Sequence, residues 1–389
     1  MVRSSSQPLT VAMVAGEASG DVLAALLLDG LHAGTVPVQA MGIGGPQMAK
    51  RGFDAWWPHH KLSVHGFGWE LIRRYREIVG IRAQLQQRLL ANKPAIFIGV
   101  DAPDFNLDLE ANLRAQGVKT VHFVAPSVWA WRPERVEKIR RSVDHVLCIF
   151  PFEPELLARH GIAATYVGHP LAQVIPLQPD RARARAVLGL AANDAVVALL
   201  PGSRSSEIRH LSARFFQAAK RIKQARPEVK FVLPAVPGLL ADIQAIAAAQ
   251  GVQDWVQIVS GQSHTVLAAC DVTLIASGTA TLEAALFKRP MVIAYHMAWL
   301  SWQIMRRKKL QPWVGLPNIL CQEFVVPELL QDAATPQALA AAVLDWLNAT
   351  RTNPTRIALL EQRFTDLHVT LQRDTSTLAR HAIEQVLQS

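Results

Sequence analysis

Cysteine is scarce in this chain of 389 residues, which contains only Cys148, Cys270 and Cys321 at scattered positions. No two of them have the short spacing that zinc sites and redox motifs require. This scarcity excludes a disulfide scaffold and favours a reducing cytoplasmic compartment. No group of histidines and carboxylates has metal-ligand spacing either, so the sequence predicts no metal site and no added cofactor.

Long apolar runs are also missing. No segment reaches the roughly 20 consecutive apolar residues that a transmembrane helix needs. Glu17 and Asp21 follow the first apolar run almost at once, which is unlike a signal peptide. The sequence therefore predicts neither a transmembrane helix nor a signal peptide.

Acidic side chains are too few to balance the basic ones. The chain has 31 Asp and Glu against 40 Lys and Arg, and its formal net charge is +9. Such a basic surface favours an anionic partner, which is nucleic acid, an acidic membrane surface or a phosphorylated substrate. No pattern of a nucleic-acid-binding module is visible, so we predict that nucleic acid is not the partner.

Apolar strand-like runs alternate with helical patterns along the chain, which predicts a doubly wound α/β fold. A proline-rich stretch from about residue 168 to 183 interrupts this alternation, which then restarts. We predict two facing α/β domains with a cleft between them. The expected layout is an N-terminal domain at 1–170, a linker at 171–183, a C-terminal domain at 184–362 and a helical tail at 363–389 that packs back on the N-terminal domain.

Two motifs in the second half each follow an apolar run and precede a helical pattern: LPGSR at 200–204 and SGTATLE at 277–283. The free N–H groups and the dipole of a helix start attract phosphate. Arg204 can reach a phosphate, and Glu283 can accept both hydroxyls of a ribose. The alternative for LPGSR alone is an ordinary loop in which Ser203 or Ser205 caps the helix and the arginine is solvated. The alternative for Glu283 alone is a favourable interaction with the helix dipole. Together they predict a nucleoside diphosphate site with contacts from Gly202, Ser203, Arg204, Ser277, Gly278, Thr279 and Glu283.

The first half has two comparable motifs, GEASGD at 16–21 and GVDAPDFN at 99–106. Asp101 is the preferred general base, because a carboxylate at the carboxyl end of a parallel strand faces the ligand crevice. Glu17 and His169 are the other candidates, although a role as a hydrogen-bonded hinge residue is favoured for His169. The alternative for Ser19 and Asp21 is that one of them simply caps a helix.

A strand-to-helix loop contains Trp129 and Trp131. Tryptophans this close together in such a loop more often line a pocket than decorate a surface. We predict that this loop, together with Ser19 and Asp21, contacts the second substrate.

Two segments combine aromatic or apolar side chains with basic ones. An amphipathic helix is predicted over 67–88, and a second segment covers 299–313. Such patches are typical of shallow contact with anionic lipid, whereas the alternative is a helix face that packs on the core. The predicted membrane-surface residues are Leu71, Ile72, Tyr75, Trp299, Trp302, Arg306 and Arg307.

Seven motifs occur in order along nearly the whole chain: GEASGD, GVDAPDFN, SVWAWR, GHPL, LPGSR, SGTATLE and LPNIL. Together they closely resemble the lipid-A-disaccharide synthase family. The resemblance implies a GT-B glycosyltransferase of two Rossmann-like domains. Such an enzyme transfers diacylglucosamine from UDP-diacylglucosamine to the 6-hydroxyl of diacylglucosamine 1-phosphate, with inversion, forming a β-1,6 linkage and UDP.

The resemblance also implies a peripheral enzyme at the anionic cytoplasmic face of the inner membrane of a Gram-negative bacterium, and it allows a homodimer. It adds Asn318, in LPNIL, to the donor contacts. Two positions depart from the expected pattern. Gln173 stands where an acidic residue is expected, and residues 64–66 replace an apolar stretch.

Two other functions remain open at this stage. One is a different UDP-sugar enzyme of the same fold, such as a peptidoglycan-type N-acetylglucosaminyltransferase or a UDP-sugar epimerase. The other is a non-catalytic protein that binds anionic lipid, in which Asp101 and Glu283 would have no chemical role.

Overall fold

The computed structural model describes residues 8–62, 69–130, 133–297, 302–303 and 310–389, and for residues 60 and 69–75 it describes the backbone only. The chain forms two compact units. The first unit comprises Met1–Pro170 and Leu371–Ser389, and the second comprises Leu171–Thr370.

The first unit is built on a seven-stranded parallel sheet with the order β3-β2-β1-β4-β5-β6-β7. Its strands are β1 Leu9–Ala15, β2 Val38–Gly44, β3 Asp54–Pro58, β4 Ile96–Val100, β5 Lys119–Phe123, β6 His145–Cys148 and β7 Ala164–Tyr166. The helices between them are α1 Ala18–His32, α2 Pro46–Ala49, α3 Trp69–Asn92, α4 Pro103–Ala115, α5 Arg135–Ser142 and α6 Glu153–Ala158.

The second unit has a six-stranded parallel sheet with the order β10-β9-β8-β11-β12-β13. Its strands are β8 Val196–Leu200, β9 Lys230–Ala235, β10 Val256–Ser260, β11 Val272–Ala276, β12 Met291–Tyr295 and β13 Glu328–Leu330. Its described helices are α7 Pro170–Val174, α8 Arg181–Val187, α9 Ser205–Ala225, α10 Leu240–Ala249, α11 Ser263–Ala269, α12 Thr279–Leu286, α13 Leu316–Cys321, α14 Pro336–Thr352 and α15 Pro354–Leu371.

The burial of the central strands explains why the alternation of apolar runs and helical patterns is easy to recognise in the sequence. Every residue of β4, β8 and β11 is buried, because helices cover both faces of a parallel sheet. Such strands appear as short, continuous apolar runs. The predicted α/β class with two doubly wound units is therefore confirmed.

Each sheet has one point at which the strand order changes direction, between β1 and β4 in the first unit and between β8 and β11 in the second. In doubly wound sheets, ligands bind in the crevice outside the carboxyl ends of the strands at this switch point. The four motif loops follow these four strands, so each unit presents two of the predicted motifs side by side.

The amphipathic helix predicted over 67–88 corresponds to α3. In its described part, Ile81, Leu85 and Leu89 are buried in a core cluster, with Ile78 packed against it. Apolar residues spaced about four apart form the core-facing stripe of a surface helix. The side chains of Leu71, Ile72 and Tyr75 lie outside the described residues, so their predicted membrane contact stays a prediction.

The start of α1 differs from the predicted helix start. It begins at Ala18 and has Glu17 as its N-cap residue, so Ser19 and Asp21 lie within its first turn. Asp21 is 2% exposed, and its carboxylate accepts hydrogen bonds from the N–H groups of Gly45, Gln47 and Met48 at 2.9–3.1 Å. Asp21 therefore caps α2 and not its own helix.

The predicted linker at 171–183 contains most of α7 and the beginning of α8, whose N-cap Asp180 accepts a hydrogen bond from Arg183 N at 2.9 Å. The predicted tail boundary at 362–363 falls inside α15. The last helix, α16 Thr375–Gln388, belongs to the first unit, and a Cβ on Gly30 of α1 would collide with the Ser376 backbone. Proline at a helix start is compatible with helix, so the proline-rich stretch contains helix and not only a linker.

None of the described helices is long and apolar enough to cross a bilayer.

Candidate active site

The loops after β1 and β4 touch each other in the first unit. A Cβ on Gly16 would lie 3.0 Å from Ala102 Cβ, and one on Gly20 would lie 3.6 Å from Val100 O. The absence of a side chain at Gly16 therefore allows the loops to approach closely. Glu17 and Ser19 are exposed at the start of α1. The structure thus brings the GEASGD motif next to the loop that carries Asp101.

Asp101 has an unusual backbone conformation. Asp101 and Ala102 both have left-handed φ angles, 52° and 44°, which for non-glycine residues cost about 1–2 kcal/mol each. Two contacts hold this turn in place: Asp101 N donates to Phe123 O at 2.9 Å, and Asn106 Nδ2 donates to Asp101 O at 2.8 Å. Strain that is held by such contacts is typical of functional positions.

Asp104, three residues later, has a structural explanation. It lies in the first turn of α4, where a carboxylate interacts favourably with the helix dipole. Its side chain is 83% exposed and pairs with Arg135 at 2.5 Å. Nothing comparable occupies the Asp101 side chain among the described contacts.

His169 and Trp129 belong to one aromatic cluster. The His169 ring lies 5.6 Å from Phe150, and the Trp129 ring lies 5.3 Å from Phe152. Burial lowers the pKa of His169 to about 4, so the imidazole is neutral at physiological pH. A neutral, buried ring packed against phenylalanine fits the hinge alternative better than the base role.

Glu153 anchors this cluster, and sequence reasoning missed it. It accepts hydrogen bonds from Trp129 Nε1 at 3.1 Å and from Phe150 N at 3.0 Å. Burial raises the pKa of this carboxyl to about 7. Trp129 is itself 7% exposed, so it supports the loop from inside. Trp131 lies outside the described residues.

The LPGSR loop in the second unit is shaped by a glutamate. Gly202 has a φ of +128°, and a Cβ there would lie 2.5 Å from Glu207 Cβ. The Glu207 carboxylate accepts hydrogen bonds from Ser203 N at 2.9 Å and Arg204 N at 3.3 Å. Two of the N–H groups expected to meet phosphate are therefore already bonded. The capping-box spacing from residue 204 to Glu207 was a signal for this contact.

Arg204 remains available to a ligand. Its side chain is 79% exposed, and its nearest charged partner is Glu207 at 3.6 Å. An exposed ion pair of this length contributes little. The guanidinium is thus free to rotate toward an anion at the carboxyl end of β8.

The SGTATLE loop follows β11, the direct neighbour of β8. Gly278 and Thr279 are exposed at the start of α12. Glu283 Oε2, in the second turn, lies 3.3 Å from His264 Nε2, and the side chains of Glu283 and His264 are 19% and 41% exposed. His264 is a further polar residue at this edge that the sequence analysis did not identify, because it lies on a different helix.

Asn318 has an internal position. It is fully buried, its amide donates to Val326 O at 2.9 Å and Glu328 Oε1 at 2.8 Å, and its Oδ1 accepts from Val326 N at 3.0 Å. Glu328 in turn accepts from Val314 N, and Val314 O accepts from Ser277 Oγ at 3.3 Å. Asn318 therefore supports the SGTATLE loop through a network and presents no free donor to a ligand.

The second basic-aromatic segment is described only in part. Trp302 is half-buried, while Trp299, Arg306 and Arg307 lie outside the described residues. Among the described residues, no group of three or more His, Cys, Asp or Glu side chains is arranged to hold a metal ion.

Comparison with solved structures identifies the type of fold. Solved structures of similar fold include the UDP-GlcNAc 2-epimerase from Neisseria meningitidis bound to UDP-GlcNAc, with a TM-score of 0.62, 11% identity and coverage of 98% of this chain and 99% of that chain. A glycosyltransferase from Rickettsia africae gives a TM-score of 0.59 at 10% identity, with 98% of both chains covered. These likenesses establish the GT-B type of fold.

Sequence comparison is more specific. The lipid-A-disaccharide synthase of Albidiferax ferrireducens is 73% identical over 388 residues, which covers 100% of both chains. Residues 11–383 match the family described as Lipid-A-disaccharide synthetase. With its two motif pairs at the two switch points, this chain belongs to the lipid-A-disaccharide synthetase family.

Proposed function

We propose that this protein condenses UDP-2,3-diacylglucosamine with 2,3-diacylglucosamine 1-phosphate to give a β-1,6-linked disaccharide 1-phosphate and UDP. The observation that carries the proposal is the pairing of motifs at each switch point. The second unit offers an arginine and a glutamate to a nucleotide. The first unit offers to a hydroxyl group the carboxylate of Asp101, for which the described part of the chain shows no side-chain hydrogen bond or ion pair.

The proton transfer is assigned to Asp101. Its carboxylate accepts the proton of the acceptor 6-hydroxyl while that oxygen attacks the anomeric carbon of the donor sugar. The bond from that carbon to the diphosphate oxygen breaks, and UDP leaves with the electron pair. Attack from the face opposite the leaving group inverts the anomeric configuration. Glu17, exposed on the adjoining loop, is the second candidate for the base.

Departure of the diphosphate requires positive stabilisation. Arg204 supplies a guanidinium, which forms strong charge-assisted hydrogen bonds with phosphate oxygens. The exposed start of α12 at Gly278 and Thr279 supplies N–H groups. These groups meet the electrostatic requirement without a metal ion. Glu283 is assigned to the ribose hydroxyls, with His264 beside it, and Asn318 is assigned a supporting role.

Both proposed substrates carry acyl chains and lie in a bilayer, so the enzyme must work at a membrane surface. We assign this contact to the basic-apolar residues around 71–76 and 299–309, on the anionic cytoplasmic face of the inner membrane. Analytical ultracentrifugation decides whether the protein also forms the homodimer expected from the resemblance.

The decisive experiment compares wild type with Asp101→Asn. Asparagine keeps the size of the side chain but does not accept a proton at neutral pH. We expect kcat to fall on the order of 10²-fold or more with an unchanged unfolding temperature. Mass spectrometry identifies the disaccharide phosphate made from the two synthetic substrates.

Near-normal turnover by folded Asp101→Asn would remove Asp101 as the base and direct the same test to Glu17. A wild-type protein that binds UDP but forms no disaccharide would refute the proposed reaction. A protein that binds anionic vesicles but no UDP would instead be the non-catalytic lipid-binding alternative.

A further inference from the structure

His264 on α11 lies against two residues at the end of α12. Its Nε2 atom is 3.3 Å from Glu283 Oε2, and its ring centroid is 5.4 Å from that of Phe287. Glu283 and Phe287 are four residues apart, so they lie on one face of the helix, and Phe287 N donates to Glu283 O at 2.9 Å. Phe287 is 4% exposed. The imidazole is therefore held against a buried ring while its Nε2 atom faces a carboxylate.

The helix that carries His264 is also fixed to α12 at its opposite end. Helix α11 follows β10, so it begins at the same edge of the parallel sheet as α12. Arg289, three residues after the end of α12, is buried and donates to Leu267 O at 3.0 Å and to Ala268 O at 2.9 Å. Both carbonyl groups belong to the last turn of α11. Breaking buried hydrogen bonds of a charged group is costly, so α11 does not slide along α12 and His264 stays beside Glu283.

The Glu283 carboxylate keeps acceptor capacity for a ligand. Among the residues that the structure describes, His264 is the one group that forms an ion-pair or hydrogen-bond contact with this carboxylate. An ionised carboxylate offers about four acceptor positions and no donor. The ring nitrogen that faces it is therefore a protonated one, and Oε1 remains for a hydroxyl group.

Stability does not explain this pair. The side chains of His264 and Glu283 are 41% and 19% exposed, and partly exposed ion pairs contribute little to folding. A glutamate side chain that is free to rotate loses this freedom when it binds a ligand, which weakens binding. A neighbour that already holds the carboxylate reduces this loss.

We propose that His264 is a positioning residue that holds the Glu283 carboxylate, before the nucleotide binds, in the orientation that accepts the ribose hydroxyls. This inference rests on the proposed role of Glu283. His264 does not need to touch the nucleotide, because its effect passes through the carboxylate.

The first test is calorimetry of wild type and His264→Ala with UDP and with the dideoxy analogue of UDP. The analogue lacks both ribose hydroxyls but keeps the base and the diphosphate, so it cannot use the Glu283 carboxylate. We expect His264→Ala to bind UDP about 3- to 10-fold more weakly than wild type. The two proteins should bind the dideoxy analogue equally well.

The matched control is His160→Ala, which removes an exposed histidine just after α6 in the first unit and should change neither affinity. A merely structural role for His264 would weaken the binding of both nucleotides, because a distorted site also loses contacts to the base and the diphosphate. An equal loss for both nucleotides, or an unchanged affinity for UDP, would therefore overturn the proposal.

The second test places His264→Ala in the Glu283→Ala background. No further loss of UDP affinity should follow, since the carboxylate on which His264 acts is gone. A further loss would overturn the proposal, because the histidine would then act on the nucleotide itself. Both tests measure binding and need no transfer activity. A wild type that gives the expected binding pattern but forms no disaccharide would refute the proposed reaction and still support this inference.

Discussion

Gly202→Ala probes the link between the LPGSR loop and nucleotide binding. Two penalties apply at this position. The φ of +128° is unfavourable for alanine, and the new Cβ would lie 2.5 Å from Glu207 Cβ. The first costs about 1–2 kcal/mol. The collision forces Glu207 away and so breaks the hydrogen bonds that its carboxylate accepts from Ser203 N and Arg204 N. Losing hydrogen bonds to a charged acceptor costs about 1.5–3 kcal/mol.

Gly251→Ala is the matched control. Gly251 has a φ of +61° and nothing within 4 Å of an added Cβ, so alanine there meets backbone strain without a collision. The difference between the two variants is therefore the Glu207 contribution together with the extra strain at φ +128°, which lies outside the left-handed region that alanine can enter. This difference is at least about 2 kcal/mol, or at least about 4–8 °C in unfolding temperature for a unit of this size.

Thermal unfolding and calorimetry with UDP measure the two effects. We expect Gly202→Ala to unfold earlier than Gly251→Ala and to bind UDP at least about 10-fold more weakly, while Gly251→Ala binds UDP normally. If the two variants unfold together and bind UDP equally well, Glu207 does not hold the loop and the argument fails.

Three further results are expected. Arg204→Ala and Glu283→Ala should each weaken UDP binding by about 1.5–3 kcal/mol in calorimetry, and unchanged affinity in both would place the nucleotide elsewhere. Burial raises the pKa of Glu153 in the folded protein to about 7, so protonation of this carboxyl stabilises the fold. The contribution, up to about 3 kcal/mol, is complete below the usual glutamate pKa and is lost as pH rises through 7. The unfolding temperature of Glu153→Gln should therefore fall less between pH 5 and pH 8 than that of wild type. Equal decreases in the two proteins would contradict the raised pKa of Glu153. Sedimentation with anionic vesicles should show binding that decreases as salt is added. Replacing Leu71, Ile72 and Tyr75 by serine should weaken this binding further without loss of thermal stability. A large loss of thermal stability would instead identify these residues as part of the core.

Local sequence patterns were sufficient for the fold class and for the position of the motif loops. Strands such as β8 and β11 are buried on both faces, so their apolar runs are continuous and easy to recognise. A motif that follows such a run must lie at the carboxyl edge of the sheet. The edge strand β3 and its neighbour β2 were not predicted, because β2 contains glycines and all of β3 is exposed or half-buried.

Individual side-chain roles were decided by contacts that are distant in sequence. Asp21 caps a helix that begins 25 residues later, and Asn318 meets Glu328 across a turn. The α15 helix shows the same limit for domain boundaries, since the chain returns to the first unit at Leu371, the last residue of this helix.

The sequence by itself determined two doubly wound units, the place of four motif loops at the carboxyl ends of strands, and the family, because these depend on periodicity and on short motifs. Only the tertiary structure decided that Glu207 occupies N–H groups of the LPGSR loop and that His169 is buried and neutral. The physical reason is that hydrogen bonding and charge depend on which side chains the strand order and helix packing bring within a few ångströms, and neither periodicity nor spacing along the chain contains that information.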